Sequence, residues 1–317
     1  MAVYTPVDAD ALAALLAQYD LGEALAFEPI ASGVENTNYF LDTGAGRHVL
    51  TLFERRTEEA DLPYFLQLTE HLAARGVPAP RPRRRRDGGL VSRACGKPAA
   101  IVERLPGRAV EAAGAGETAA GAAALARMHV AARDFGMRRD NPLGPDGLRT
   151  LARGLEGAGA AGAEGLAEAR RLAADALDVW AFAPLPRGPA HTDLFPDNVL
   201  FDAGAVSGVF DFYFACDEAY AYDLAVVLVS WRGADGRFDP AAARAAVDAY
   251  DRVRRLRPEE RSALPSLCAA ACFRFFLTRL YDAAHPREDA LAVPKDPLEY
   301  LVELEFFAGF DDWKDIL

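Results

Sequence analysis

His191-Thr192-Asp193-Leu194-Phe195-Pro196-Asp197-Asn198, running on into Val199-Leu200-Phe201, is the stretch whose reading decides the fold. Its fixed letters are H-x-D-L-x-x-x-N, the spacing of a loop that works on phosphoryl groups. Four letters can coincide by chance, so the continuation matters. Asp211 stands inside Gly208-Val209-Phe210-Asp211-Phe212, a further short apolar stretch, and the two motifs flank a hairpin centred on Ala203-Gly204. Such a hairpin is expected to carry Asp193, Asn198 and Asp211 to one end. The residue types suit in-line transfer, which needs positioning and charge stabilisation more than covalent help. Asp193 can take or orient the proton of an acceptor hydroxyl. Asn198 offers a neutral amide oxygen and Asp211 a carboxylate, both hard ligands for Mg²⁺. His191, taken with Asp193 as the catalytic pair, is expected to fix the loop by hydrogen bonding rather than to react. The competing reading, a surface turn capped by Asp and Asn, has no use for two such motifs around one hairpin.

Outward from this loop, the first 105 residues read as β-rich. A helix is expected over Asp8–Tyr19, with Leu12, Leu15 and Leu16 on one face. Strands follow at Ala26–Ile30, Asn38–Leu41 and His48–Phe53, then a helix over Asp61–Arg75 that Gly76 ends. Val77–Pro82 must be extended, and Leu90–Ser92 and Ala99–Leu105 form a further antiparallel pair. Beyond Pro106-Gly107 the pattern is helical: Glu117–Val130, Leu166–Trp180, Ala219–Trp231, Pro240–Arg254, Pro258–Tyr281 and Pro297–Phe307. The hairpin after His191 is the one exception. The expected fold class is α+β with two lobes: residues 1–105, a nucleotide-binding lobe with its linker, and 106–317, a helical lobe carrying the catalytic loop and the acceptor site.

Composition narrows the function. Hydrophobic residues make up 51% and charged residues 26% of the 317, ordinary globular usage that excludes wholesale disorder. The net charge of −12 lacks the basic footprint that nucleic acid demands. No apolar window reaching the roughly 18 residues of a membrane span is evident, nor a secretory leader, so a cytoplasmic protein is expected. Four cysteines without C-x-x-C spacing read as reduced and buried rather than zinc-binding.

Several features read as bland. Arg83-Arg84-Arg85-Arg86, between Pro82 and Asp87-Gly88, is a solvated loop rather than a nucleic-acid patch. Gly157 to Gly162 satisfies G-x-G-x-x-G but has no strand before it, so it joins helices instead of cradling phosphate. His48, His71 and His129 sit in apolar-patterned elements and read as packed or surface residues.

These motifs resemble the aminoglycoside-phosphotransferase-like branch of the kinase fold. Further stretches resemble its homoserine kinases: Glu35-Asn36-Thr37-Asn38-Tyr39-Phe40-Leu41, Val49 to Glu54, Asp61 to Leu66, Gly96 to Val102, Leu105-Pro106-Gly107, Asp211 to Cys216, Arg279-Leu280-Tyr281-Asp282 and Pro294-Lys295-Asp296-Pro297. The resemblance covers nearly the whole chain outside 141–186. It implies ATP as phosphoryl donor, with Mg²⁺, and adenine against the linker near Val102 and Arg104. Ser32, Gly33 and Val34 fall where that fold places its phosphate-covering loop. L-homoserine is the implied acceptor. One departure stands out, because Thr51 occupies the place of the usual third-strand Lys; this leaves the phosphate-neutralising cation unassigned, with Arg55 and Lys97 as candidates for which a surface location is the favoured reading. Homoserine is a zwitterion and needs receivers for its carboxylate and ammonium. Arg274 and Arg279, in an apolar helical segment, are expected to serve the acceptor together with Tyr213, or else to form a salt bridge to Asp282 or another carboxylate. Asp223 is expected to brace the loop from behind. A kinase for another small alcohol and a non-catalytic nucleotide-binding protein both remain open at this point. A protein kinase fits less well, since helix resumes soon after Asp211.

Overall fold

The structure, a computed structural model, describes residues 4–30, 36–54, 57–110, 113–157, 159, 162–233, 235–286, 295–310 and 313–316. The chain divides into two compact units. One is formed by the described part of residues 1–106 with 208–213, the other by the described part of 107–207, 214–286 and 294–317.

In the N-terminal unit Asp8 caps α1 (Ala9–Leu16), its carboxylate accepting the Ala11 N–H at 2.8 Å. Five strands follow: β1 (Ala24–Pro29), β2 (Thr37–Thr43), β3 (Gly46–Leu52), β4 (Ser92–Ala94) and β5 (Lys97–Glu103), with α2 (Leu62–Ala74) between β3 and β4. They form one antiparallel sheet in the order β1-β2-β3-β5-β4. Alternation divides its faces. Tyr39, Leu41, Leu50, Leu52, Ala99 and Ile101 enter a core with Leu12, Leu15 and Leu16 of α1. Asn38, Thr51, Ala100 and Val102 alternate with them and belong to the opposite face. The register sets Thr51 against Asn38 on one side and Ala100 on the other. β4 and β5 lie about two residues from their expected places. The connection is a two-residue turn at Cys95 and Gly96, with φ of 51° and 78°, rather than the longer Gly96-Lys97-Pro98 turn. The four arginines do form a solvent-side loop, and each is engaged: Arg84 with Glu70, Arg85 with Asp87, Arg86 with Asp20, and Arg83 with His48 Nδ1.

The helical unit contains α3 (Ala115–Ala131), α4 (Pro145–Gly154), α5 (Leu166–Phe182), α6 (Tyr220–Ser230), α7 (Pro240–Val253), α8 (Pro258–Ala284) and α9 (Leu298–Phe307). Two strand pairs accompany them: β6 (Arg187–Ala190) with β9 (Cys216–Ala219), and the hairpin β7 (Val199–Asp202) with β8 (Ala205–Val209). The hairpin turns at Ala203 and Gly204, both at positive φ, as two-residue loops require. The β6–β9 ladder was not expected, because Arg187-Gly-Pro-Ala has no strand propensity of its own and becomes a strand by pairing. α4 was likewise missed. Gly157 and Gly162 lie between α4 and α5, with no strand before them.

One expectation is overturned. By length and composition α8 is apolar enough to cross a membrane. Its run from Leu267 to Leu277 is buried throughout, with α5, α6 and α9 packed around it, so it is the central core helix of this unit.

Two glycines are sterically required near the loop. A Cβ on Gly121 of α3 would lie 2.6 Å from the Trp231 indole. Gly107, at φ +100°, would press a Cβ to 2.6 Å from the Phe201 carbonyl oxygen.

Candidate active site

β6 delivers the chain into the catalytic loop at His191, and β7 takes it away after Asn198. His191 and Leu194 are 0% exposed and Thr192 is 2% exposed, whereas the Asp193 side chain is 20% exposed. Of these four consecutive residues only Asp193 reaches solvent. Thr192 holds φ at +60°, a left-handed value that a β-branched residue adopts only under constraint, at about 1–3 kcal/mol.

The constraint is visible. Asp223, on α6, accepts the His191 N–H at Oδ2 (2.6 Å) and the Thr192 N–H at Oδ1 (2.7 Å). The Thr192 hydroxyl donates to the Phe214 carbonyl at 3.0 Å. His191 accepts the Asp193 N–H at Nδ1 (3.3 Å), and its ring is buried away from solvent. The Trp231 indole, seated over Gly121, donates to the Leu194 carbonyl at 2.8 Å. Asn198 donates from Nδ2 to the Asp193 carbonyl at 2.9 Å, which turns its amide oxygen the other way.

Behind Asp223 runs a buried polar chain that sequence reading did not anticipate. His129 Nε2 lies 2.9 Å from Asp223 Oδ2, and His129 Nδ1 lies 2.7 Å from the Tyr250 hydroxyl. Arg254 donates to that hydroxyl at 3.2 Å and pairs with Glu260 at 2.8 Å. Burial lowers the pKa of His129, favouring the neutral ring. Burial alone would raise that of Asp223, but the hydrogen bonds from His129 and from the loop hold it below the usual range. The network therefore assigns Nε2–H to His129, donating to the Asp223 carboxylate, with Tyr250 donating to Nδ1. His129, read from sequence as an ordinary packed histidine, is packed but anchors the loop. A His spaced on α3 among alanines carries no local sign of this, since its partners lie on α6 and α7.

Both arginines are engaged in salt bridges, the alternative that the sequence leaves open. Arg274, 3% exposed, donates from one Nη to the Thr192 carbonyl and places the other 3.1 Å from Asp193 Oδ1. It is therefore bound to the catalytic loop, not held open for an acceptor's carboxylate. Arg279 donates to the Asp296 carbonyl at 2.7 Å and to Glu299 at 2.8 Å, so it is in a salt bridge, with Glu299 as the carboxylate. Lys295 Nζ lies 6.0 Å from the centre of the Phe195 ring.

In the N-terminal unit, Asp211 also sits at positive φ, +64°, just past β8. Hairpin turns explain the same feature at Cys95 and Ala203. Thr192 and Asp211 have no such excuse, and both lie in the motifs singled out by sequence. Tyr213, expected on the acceptor side, is instead tied to the sheet. Its ring packs edge-on against Phe53 (5.1 Å) and Phe65 (5.9 Å), and its hydroxyl bonds Thr51. Thr51 in turn donates to Asn38 Oδ1 at 2.7 Å. A neutral trio thus stands where the Lys of a typical kinase would. Lys97 does not replace that Lys, for it shares the α1 face with Ala99 and Ile101 and pairs with Glu54 at 3.2 Å. Val102 is buried on the Thr51 face, and the Arg104 guanidinium stacks 3.6 Å above the Phe40 ring. Ser32, Gly33, Val34 and Arg55 lie outside the described residues.

Residues 26–256 match the phosphotransferase enzyme family. The chain belongs to that family. Within it, the chain is 46% identical to the homoserine kinase of Methylorubrum populi over 316 residues, covering 99% of this chain and 98% of that one. It is 49% identical to the homoserine kinase of Acidiphilium cryptum over 311 residues, 96% of each. Among solved structures, a microcompartment-associated aminopropanol kinase superposes with a TM-score of 0.68 at 18% identity, covering 95% of this chain and 94% of that one. That likeness establishes the protein-kinase-like fold of this phosphotransferase.

Proposed function

We propose that this phosphotransferase is a homoserine kinase, moving the γ-phosphoryl group of ATP to the side-chain hydroxyl of L-homoserine to give O-phospho-L-homoserine, in the cytoplasm and in the service of threonine biosynthesis. The observation that carries the reading is the presentation of Asp193: a solvent-reaching carboxylate set between the buried His191, Thr192 and Leu194 and held by an over-determined backbone, within a chain nearly half identical to homoserine kinases along its whole length.

Asp193 orients the acceptor hydroxyl and accepts its proton as the oxygen–phosphorus bond forms and the bond to the β-phosphate oxygen breaks. The transition state is loose, so the proton can leave late and a carboxylate of ordinary basicity suffices. His191 acts only by holding the Asp193 N–H. Asn198 and Asp211 are the residues we assign to Mg²⁺. The donor set fits, because the Asn198 nitrogen is turned to the Asp193 carbonyl and leaves its oxygen, and Asp211 adds a charged one. When bound, the metal neutralises charge on the phosphate oxygens. Val102 and Arg104 stay assigned to the adenine side, with Ser32, Gly33 and Val34 as backbone contacts to phosphate.

The test is ADP release measured with a panel of acceptors: L-homoserine, L-serine, 3-amino-1-propanol and an aminoglycoside. The expected result is a kcat/KM for L-homoserine at least about 10²-fold above the others, the discrimination available when charged groups of the substrate are matched. ADP release no faster with L-homoserine than with water alone would refute it, and preference for another alcohol would move the enzyme to that substrate.

A further inference from the structure

Arg274 sits past the middle of α8, in the continuously buried stretch from Leu267 to Leu277. Its guanidinium carbon lies 5.3 Å from the centre of the Phe214 ring and 4.8 Å from that of Phe275. A cation in such surroundings is strongly unfavourable unless charge and hydrogen-bond partners come with it. Its hydrogen-bond acceptors are adjacent loop residues: the carbonyl of Thr192, whose backbone is the strained one, and Oδ1 of Asp193 at 3.1 Å. Its Nε is buried as well, and the Tyr222 hydroxyl lies within hydrogen-bonding reach of the guanidinium. The fork of a guanidinium can serve two acceptors on neighbouring residues at once, which a lysine ammonium at the same place does less rigidly.

The same geometry argues against a direct role in holding the acceptor's carboxylate. An anion drawn to Arg274 would be set against the Asp193 carboxylate and would bring the wrong end of an amino acid to the base. We propose that Arg274 is the positioning residue of Asp193: it fixes the catalytic carboxylate from behind and, through the Thr192 carbonyl, locks the left-handed turn that presents it. This rests on the reading of Asp193 as the group that takes the hydroxyl proton.

A double-mutant cycle separates the two claims. Arg274→Lys, which keeps the charge and most of the stem, should lower kcat by about 10- to 100-fold, with KM for L-homoserine and for ATP within about twofold of wild type. Introduced into Asp193→Asn, the same change should cost less than about threefold, since the group it positions is already disabled. A raised KM for L-homoserine with kcat kept, or an equal loss in both backgrounds, would overturn the proposal. Wild-type kcat in Asp193→Asn alone would instead overturn the reading beneath it. A crystal structure of the wild-type protein with L-homoserine and a non-hydrolysable ATP analogue needs no variant to fold. Arg274 should remain on Asp193 and Thr192 there, and a homoserine carboxylate bound to Arg274 would refute the assignment.

Discussion

His129 and Asp223 meet at 2.9 Å with both side chains wholly excluded from solvent. The same carboxylate oxygen receives the His191 N–H, so α3, α6 and the catalytic loop converge on one atom. Through Tyr250 and Arg254 the network reaches α7 and the start of α8. The loop is thus held by the helical core itself, and its strained turn is affordable because three elements over-determine it.

Asp223→Asn tests this. An asparagine amide keeps one acceptor but turns an N–H₂ group toward donors, orphaning at least one of the three. The expected loss is about 3–5 kcal/mol of stability, as for other buried charged partners removed singly, with a fall in kcat because Thr192 is released. Urea unfolding together with steady-state kinetics measures both. A variant within about 1 kcal/mol of wild type would show that the loop is held by something else.

Asp211→Asn should leave the fold intact and raise the Mg²⁺ concentration for half-maximal rate by about 10- to 100-fold. Titrating activity against Mg²⁺ at saturating ATP reads this directly. Full turnover by the variant at ordinary Mg²⁺ would remove Asp211 from the metal site.

Much of this was legible in the sequence. The two-lobed division, the five strands of the N-terminal unit and most helices follow from periodicity and turn residues. Asp193, Asn198 and Asp211 stand out because phosphoryl transfer restricts both residue type and spacing. What stayed hidden depends on contacts far apart in the chain. Arg274 shows in sequence only as a cation among phenylalanines, and its partner lies in the loop, across the unit. β6 has no propensity to reveal it. Tyr213 sits in a motif that invites a substrate role, while its packing against Phe53 and its bond to Thr51 exist only once the sheet is formed. The membrane-length apolarity of α8 is masked in the sequence by Arg274 and Arg279, which interrupt the run.

Glu303, on α9, gives a pH-dependent prediction. It is 7% exposed, with Oε1 2.9 Å from Arg232 Nε and Oε2 buried without a hydrogen-bond partner among the described residues. Burial pushes its pKa up from 4.5 to about 7, against the pull of Arg232. Between those values the folded state holds a proton that the unfolded state has released, so this stability is full below pH 4.5 and is lost as pH rises through 7. His48 has the opposite sign: burial takes it from 6.5 down to about 4, so its contribution falls as pH drops through that window. The two offset each other in weakly acidic solution, and Glu303 dominates above it. Glu303→Gln should therefore gain on wild type as pH rises from about 5 to 7, by up to about 1.4 kcal/mol per pH unit, and level off above. Thermal melts at several pH values would show it. A difference that stays constant with pH would refute the assignment of a neutral Glu303.

The central claim is that Asp193 performs the chemistry of a homoserine kinase, and the most direct measurement is kcat of Asp193→Asn with L-homoserine and ATP. Asparagine keeps the size of the side chain and removes the charge that accepts the proton. The expected fall is about 10²–10⁴-fold, the usual share of a positioned general base, with the affinity for ATP nearly unchanged. Wild-type kcat in this variant would contradict the account and reopen the reading of the loop as a site that binds nucleotide without turning it over.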